Sequence, residues 1–464
     1  MSELYQHLPW YRSPRYSDEL EHELCTQPRE KIKEIQSLRF KQVVNYAWDN
    51  IPFYRWLWSE AGVSPSHIHT IDDIQKLPTW NKNTQKLMIE KSPPFGNYYT
   101  FSGLSDAHFI VSTSGTTGSP IMMPLNEDDF PGLQDTFART MGMVGVNSKD
   151  IVQVLFTFST MGAAWCGTAG ALGVGATVLP ASSGKTTPSG KQIQWIKQAG
   201  VTVLYGTASY IKHLADVAEN EGIDLVSSSV RILLTAGEMV SDATSKEIEQ
   251  LWGAKHFDFY GTVDTMTWSS VNCEHSRLKH GKLGMHVWED FGLIEVLDPN
   301  GKRVDNKEYG NMTVTSWAWK NSPRIRFSTG DRVAVDDTPC TCGRTLTRML
   351  PILGRVDDMI RIKGQNIYPL AIESLLKSLE FEVHEYMVEV DSHNGRDEIT
   401  LIIEQKNNSN DDLSMEINKR FQAAFNVTPI VKMVPLGSTA EMTKLGKEPK
   451  VKRIFDKRHK SIKV

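Results

Sequence analysis

Apolar and polar positions change their spacing several times along the chain. From residue 29 to 48 apolar side chains recur at mostly helical spacing, and residues 1 to about 80 are rich in charged and aromatic types, which predicts a helical lead-in. The aromatic cluster Tyr46, Trp48, Phe53, Tyr54, Trp56 and Trp58 reads as packing rather than as a ligand site. From about 100 to 270, short β-rich runs at 151–156, 201–205 and 230–235 alternate with helical patterns such as 210–220. That alternation predicts an α/β fold layered on a mainly parallel sheet. From Trp268 to about 350 the pattern is mixed and β-rich, with 292–301 reading as a strand that runs into a turn. Pro369 opens a helix, where a first-turn proline is tolerated. The last hundred residues or so read as a small α+β domain with a strand at 398–404 and a basic tail.

Composition narrows the class. A chain of 464 residues exceeds one core and divides into about two to four domains. Its net charge of −4 supplies no basic field, so neither a nucleic-acid nor a membrane partner is expected. The first residues carry neither a basic start nor an apolar run, which predicts no signal peptide and a cytoplasmic location. Residues 162–181 are uncharged, but their five glycines and Pro180 fit a small-residue helix followed by a buried strand at 176–179 better than a bilayer span. Five cysteines in such a chain leave metal binding or plain burial.

In parallel sheets ligands collect at the carboxyl ends of the strands. Three predicted strand ends carry small or polar residues: Tyr205-Gly206-Thr207-Ala208, Ala236-Gly237-Glu238 and Tyr260-Gly261-Thr262-Val263-Asp264. Each alone is a strand-to-helix turn; three in one sheet suggest a shared pocket. Beside them stands the loop at 111–120, with hydroxyl side chains and the glycines Gly115 and Gly118. Glycines let a backbone turn its N–H groups toward an anion, and hydroxyls add donors. It is not a Walker loop, so by itself it is either a phosphate loop or a surface turn. Asp331, after a predicted strand, is either a turn residue or a carboxylate able to accept both hydroxyls of a ribose.

The ordered set Ser114-Gly115-Thr116-Thr117-Gly118, Ala236-Gly237-Glu238, Tyr260 to Asp264, Ser328-Thr329-Gly330-Asp331, Gly354-Arg355-Val356-Asp357-Asp358 and a lysine near the end resembles adenylate-forming acyl ligases. Pro93-Pro94-Phe95-Gly96, Cys340-Thr341-Cys342-Gly343-Arg344 and the stretch from Gly364 to Pro369 look like the phenylacetate CoA ligase branch. The resemblance runs from about residue 75 to the C-terminus. It implies a large adenylation domain, 1–356, and a mobile lid, 357–464, turning at Asp357. The implied chemistry joins a small carboxylic acid to the α-phosphate of ATP and then passes the acyl group to a nucleophile.

The resemblance also implies roles. Ser114, Thr116 and Thr117 with the loop backbone would hold phosphate; Ala236, Gly237 and Glu238 would border adenine, with Tyr260 stacked on it; Asp331, helped by Arg355, would grip the ribose. Asp264 stands where the family has a glutamate beside Mg²⁺, and Ser119 where it has a lysine. Near the tail, Thr-x-x-Gly-Lys selects Lys447 and Lys-x-Lys-Arg selects Lys450, the preferred one, as the ammonium that stabilises developing charge. Cys340 and Cys342 on one turn, with Cys273 and a histidine, make a structural Zn²⁺ set; Gly284-Met285-His286 favours His286, with His280 second. Phe158, Trp165, Tyr205, Gly206, Ala208 and Tyr210 would line the acid pocket, or else belong to ordinary core, and as a pocket they suit a cyclic or aromatic acid. The acceptor is CoA, or an amino acid as in coronafacic acid ligase, to which the departures at 119 and 264 and the inserted tail residues point; the third reading is a non-catalytic nucleotide-binding relative. A homodimer is the candidate assembly.

Overall fold

The computed structural model describes residues 23–100, 103–113, 120–238, 240–266, 268–278, 284–355, 359–362, 365–379, 383–393, 396–405, 411–443 and 451–458. Two helices lead in, α1 (Arg29–Asn50) and α2 (Pro52–Glu60). The proline that opens α2 lacks only an N–H that the first turn leaves unused. Phe53, Tyr54 and Trp58 are fully buried and pack as expected, Tyr46 and Trp48 pack partly buried against the same core, and Trp56 is exposed. Tyr54 also ties the lead-in to a distant strand: its hydroxyl donates to Pro323 O at 2.6 Å and accepts from Ile325 N at 3.0 Å.

A short strand, β1 (Trp80–Asn81), runs into α3 (Lys82–Lys91), whose first turn is capped by the Asn81 side chain. The hairpin β2 (Phe109–Ser112) and β3 (Met122–Leu125) precedes α4 (Phe130–Met143). Then the predicted alternation appears as β4 (Ile151–Val154), α5 (Gly162–Gly173), β5 (Thr177–Leu179), α6 (Ser189–Ala199), β6 (Val203–Gly206), α7 (Ala208–Asn220), β7 (Ile232–Thr235), α8 (Asp242–Trp252) and β8 (Lys255–Gly261). The five strands are parallel in the order β5-β4-β6-β7-β8. Their period of two divides the core: Val203 and Tyr205 pack with Phe137 of α4 and Phe259, whereas Leu204 and Leu233 pack with Ile193, Ile211 and Ile248 of α6 to α8.

Two expectations change. The strand after α5 is not buried: β5 is the outermost strand of its sheet, with Thr177 exposed and Val178 and Leu179 half-buried. The sheet is also only half parallel. It continues antiparallel from β8 through β9 (Ser269–Val271) and β10 (Met285–Val287). The link from β8 to β9, residues 262–268, is too short for the crossover that a parallel neighbour requires.

A second sheet is built from β11 (Gly292–Leu297), β12 (Gly310–Ser316) and β13 (Arg324–Val333). Two small strands, β14 (Val335–Asp336) and β15 (Arg348–Met349), return to the edge of the first sheet, and β16 (Gly354–Arg355) pairs with the end of β13. β1 lies parallel to β13 on its other side, so α3 starts beside the same strand end. The C-terminal part has its own sheet, β21-β20-β19-β22, from β19 (Tyr386–His393), β20 (Arg396–Gln405), β21 (Ile430–Pro435) and β22 (Ile454–Asp456), after the ribbon β17 (Ile360–Ile362) and β18 (Gln365–Ile367). With α9 (Pro369–Lys377) and α10 (Asp411–Phe425) it encloses a separate core around Val388, Leu401, Ile417 and Phe421. This is the α+β unit read from the sequence. Among the described residues no helix is long and apolar enough to cross a membrane.

Candidate active site

The carboxyl end of β8 and the end of β13 meet at Asp331. Its Oδ2 accepts from the Tyr260 hydroxyl at 2.6 Å and its Oδ1 from Arg355 Nη1 at 3.0 Å. Strand register places Asp331 directly opposite Arg355, whose Nη2 also reaches Thr329 O at 3.2 Å. Burial, and then the Asp331 carboxylate, push the Tyr260 phenol well above its ordinary range, so it stays a hydrogen-bond donor. Glu238, just beyond the end of β7, accepts from Ser209 N at 2.5 Å and Ser209 Oγ at 2.9 Å, which fixes it over the first turn of α7. Gly237 beside it has φ +83°, a conformation glycine adopts without strain, and Ala236 is buried. Gly206 ends β6 opposite Thr235, and Gly261 and Thr262 lead from β8 to the turn of Asp264, where Thr262 Oγ1 accepts from Thr265 N at 3.2 Å.

Behind Glu238 runs a chain of buried polar groups that sequence reasoning did not single out. Thr235 Oγ1 donates to Asp258 Oδ1 at 2.7 Å and lies 2.7 Å from His256 Nε2, while His256 Nδ1 lies 2.7 Å from Ser245 Oγ. Thr235 directs its single proton to Asp258, so His256 Nε2 donates to Thr235 Oγ1. Burial, with Glu238 nearby, raises the Asp258 carboxyl to about 8. The folded protein therefore keeps a proton that the unfolded chain releases in the ordinary carboxylate range. Between that range and about 8 the folded state binds more protons, so this group makes stability fall as pH rises. Asp258→Asn is expected to flatten that part of the stability curve; denaturant midpoints across the window check it.

Asp264 follows β8. Its Oδ2 is 3.6 Å from Lys82 Nζ at the start of α3, and its Oδ1 is buried without a hydrogen-bond partner among the described residues. A buried, unsatisfied carboxylate oxygen suits a hard cation, so Asp264 fits the Mg²⁺ role. Lys82 was missed because nothing in the sequence brings residue 82 near 264; only the pairing of β1 with β13 does so.

The four expected metal ligands converge. The ligand atoms of Cys273, His286, Cys340 and Cys342 all lie within 4.8 Å of one another. Cys273 Sγ is 3.8 Å from Cys340 Sγ, and Cys342 Sγ is 3.5 Å from His286 Nε2. Zinc bonds of about 2.3 Å to sulfur and about 2.0–2.1 Å to nitrogen, at the tetrahedral angle, need edges of about 3.8 Å and about 3.6 Å. The residues therefore fit Zn²⁺. Hydrogen bonding within the cluster pushes the Cys342 thiol down and the Cys340 thiol up, the mark of thiols that share protons at close range.

The residues proposed to line the acid pocket do not gather in one place. Phe158 and Trp165 meet edge to face at 5.2 Å, and Phe109 joins Trp165 at 5.3 Å. Tyr205 lies on that side of the sheet but is fully buried, its hydroxyl donating to Ala163 O at 3.0 Å. Ala208 and Tyr210 belong to the core on the opposite face, where the Tyr210 hydroxyl meets Ser189 Oγ at 3.2 Å and Gln192 Nε2 at 3.1 Å. The period of two that turns Tyr205 one way sends the start of α7 the other. Ser114, Gly115, Thr116, Thr117, Gly118, Ser119, the hinge Asp357, the alternative His280 and both tail lysines, Lys447 and Lys450, lie outside the described residues.

The C-terminal unit docks on the larger one through α9 against α8. Lys377 Nζ is 3.1 Å from Glu247, which also pairs with Lys212, and Thr244 Oγ1 donates to Glu373 at 3.2 Å.

Strand-end carboxylates, a second docked domain and a buried tyrosine on Asp331 match the layout expected of adenylate-forming enzymes. The chain belongs to the AMP-binding enzyme family: that profile matches residues 60–317, and the C-terminal domain profile of the AMP-binding enzymes matches residues 364–458. Phenylacetate-coenzyme A ligase of Thermus thermophilus is 31% identical over 82% of this chain and 83% of its own. That of Escherichia coli is 28% identical over 93% of this chain and 96% of its own. Among solved structures, 2-hydroxyisobutyryl-CoA ligase in the postadenylation state with 2-HIB-AMP matches with a TM-score of 0.87 at 27% identity, covering 98% of this chain and 97% of that one. The same relative in the thioesterification state scores 0.70 over 98% and 95%. The arrangement of this chain is thus nearer the postadenylation one.

Proposed function

We propose that this chain activates a small ring-bearing carboxylic acid with ATP to an acyl-adenylate and then transfers the acyl group to CoA. The observation that carries the reading is the Tyr260–Asp331–Arg355 constellation beside the unpaired oxygen of Asp264. Asp331 accepts both ribose hydroxyls, and Arg355 and Tyr260 keep its carboxylate aimed. The acid oxygen attacks the α-phosphorus and pyrophosphate leaves; the CoA sulfur then attacks the acyl carbon and AMP leaves. Phosphate is held by Ser114, Thr116 and Thr117, and charge at the bridging oxygen is met by a tail lysine. Mg²⁺ at Asp264 supplies neutralisation of triphosphate charge. The aromatic wall of Phe158 and Trp165 supports a cyclic or aromatic acid over a long chain. The names of the relatives support CoA as acceptor.

Mass spectrometry after incubation with ATP, Mg²⁺, a panel of cyclic and aromatic acids, and CoA or amino acids tests this. A thioester with AMP release is expected. An amide would replace the acceptor, and no AMP release with any acid would overturn the reading.

Zinc in the four-ligand site would staple the β9–β10 region to the Cys340 turn. Purified protein is expected to carry about one equivalent, and Cys340→Ser to lose most of it together with thermal stability, because metal binding to a preformed site is folding free energy. Elemental analysis and a melting curve check this; full stability without metal would remove the site from the account.

A further inference from the structure

The geometry points to Arg324 as a positioning residue for adenylation, holding the peptide of Asp264 so that its short side chain reaches the divalent cation of the nucleotide; this rests on the reading of Asp264 above. Arg324 is the first residue of β13 and 1% exposed. Its Nε donates to Asp264 O at 2.7 Å, its Nη1 to Ser322 O at 3.1 Å and to Ser322 Oγ, and its Nη2 is buried with no hydrogen-bond partner among the described residues. None of these acceptors is a carboxylate. Four rings surround the guanidinium, Trp319 at 4.5 Å, Tyr98 at 5.5 Å, Trp80 at 5.6 Å and Tyr99 at 5.9 Å.

Ring faces offset part of the cost of burying a cation. An apolar side chain would fill the same cage without that cost. What the guanidinium adds is the bond to the carbonyl of residue 264. Aspartate has one methylene fewer than glutamate, so its carboxylate follows its own backbone with little slack. A misplacement of about 1 Å can cost about a hundredfold in a reacting complex. The same strand carries Asp331 near its other end, so β13 fixes the ribose carboxylate and, through Arg324, the cation carboxylate in one frame.

The test reads metal binding rather than turnover. Mn²⁺ binding to the full chain with ATP, followed by electron paramagnetic resonance, is compared for the parent, Arg324→Met and Asp264→Asn, with ATP affinity in chelator measured by calorimetry. Arg324→Met is expected to weaken Mn²⁺ binding about 10–100-fold, the usual effect of losing a residue that orients a ligand, and to leave ATP affinity in chelator within about twofold. Mn²⁺ affinity equal to the parent's in Arg324→Met, with Asp264→Asn weakened, overturns the role of Arg324 alone. Unchanged affinity in Asp264→Asn overturns the reading of Asp264 itself, and Arg324 with it. Should Arg324→Met not fold, Arg324→Lys carries the same contrast, since an ammonium keeps the charge in the cage but lacks the planar fork that bonds residues 264 and 322 together.

Discussion

Asp331→Ala is expected to lower kcat/KM for ATP by about 10²–10⁴-fold, because each hydrogen bond from a ribose hydroxyl to a carboxylate is worth about 1.5–3 kcal/mol and two are lost. The change also strips Tyr260 and Arg355 of their common acceptor, at 2.6 and 3.0 Å. A general loss of order would therefore look similar in a single rate. Ribose analogues separate the two. The parent is expected to discriminate against 2′-deoxy-ATP by about one hydrogen bond to a charged group, on the order of tenfold or more. Asp331→Ala should have lost that discrimination, and Tyr260→Phe, which removes only the phenol, should keep it. Persistent discrimination in Asp331→Ala would mean that the ribose is held elsewhere.

The alternation of β-rich runs with helical periods located all of β4, β6 and β7 within two or three residues at each end, because these strands are buried on both faces and read as apolar runs. Strand direction was not legible beyond β8. Parallel and antiparallel neighbours have the same side-chain period, and only loop length separates them. Three cysteines and a histidine, Cys273, Cys340, Cys342 and His286, do converge, though the histidine came from the resemblance of Gly284-Met285-His286 to the family pattern and not from spacing. The acid pocket was not legible. Tyr205 and Tyr210 are five residues apart in sequence, but a strand end and a helix start turn them to opposite faces of the sheet. Lys82, Asp258 and Arg324 carried no motif; their proximity to the site comes from pairing across hundreds of residues or across two strands, which no local pattern records.

Replacing Lys450 with alanine is expected to lower acyl-adenylate formation by about 10²–10³-fold, the usual effect of deleting a preorganised group at developing charge, with Lys447→Ala well below that. The described flanks supply a reason to look to this segment. Lys452 N donates to Thr443 O at 3.2 Å, so residues 443 and 452 stand side by side. Arg453 is locked to Glu385 at 2.6 and 3.0 Å, and Glu404 accepts from Thr439 N at 2.6 Å, so both flanks are anchored by carboxylates in the small domain. Ser119 sharpens the test. The resemblance to adenylate-forming ligases implies a lysine where this chain has the Ser119 hydroxyl, and on that reading a larger share of triphosphate charge would fall to the tail ammonium and the metal. In a Ser119→Lys background the Lys450→Ala penalty should shrink to about tenfold, since groups that share one charge are not additive. Pyrophosphate exchange measures the first half-reaction, and thioester formation from supplied acyl-adenylate measures the second. The second should be nearly unchanged, because no pyrophosphate is expelled in that step and the triphosphate charge that the ammonium neutralises is gone. Unchanged exchange in both single variants would remove Lys450 and Lys447 together, and equal losses in both half-reactions would make the tail a structural element rather than a source of catalytic charge.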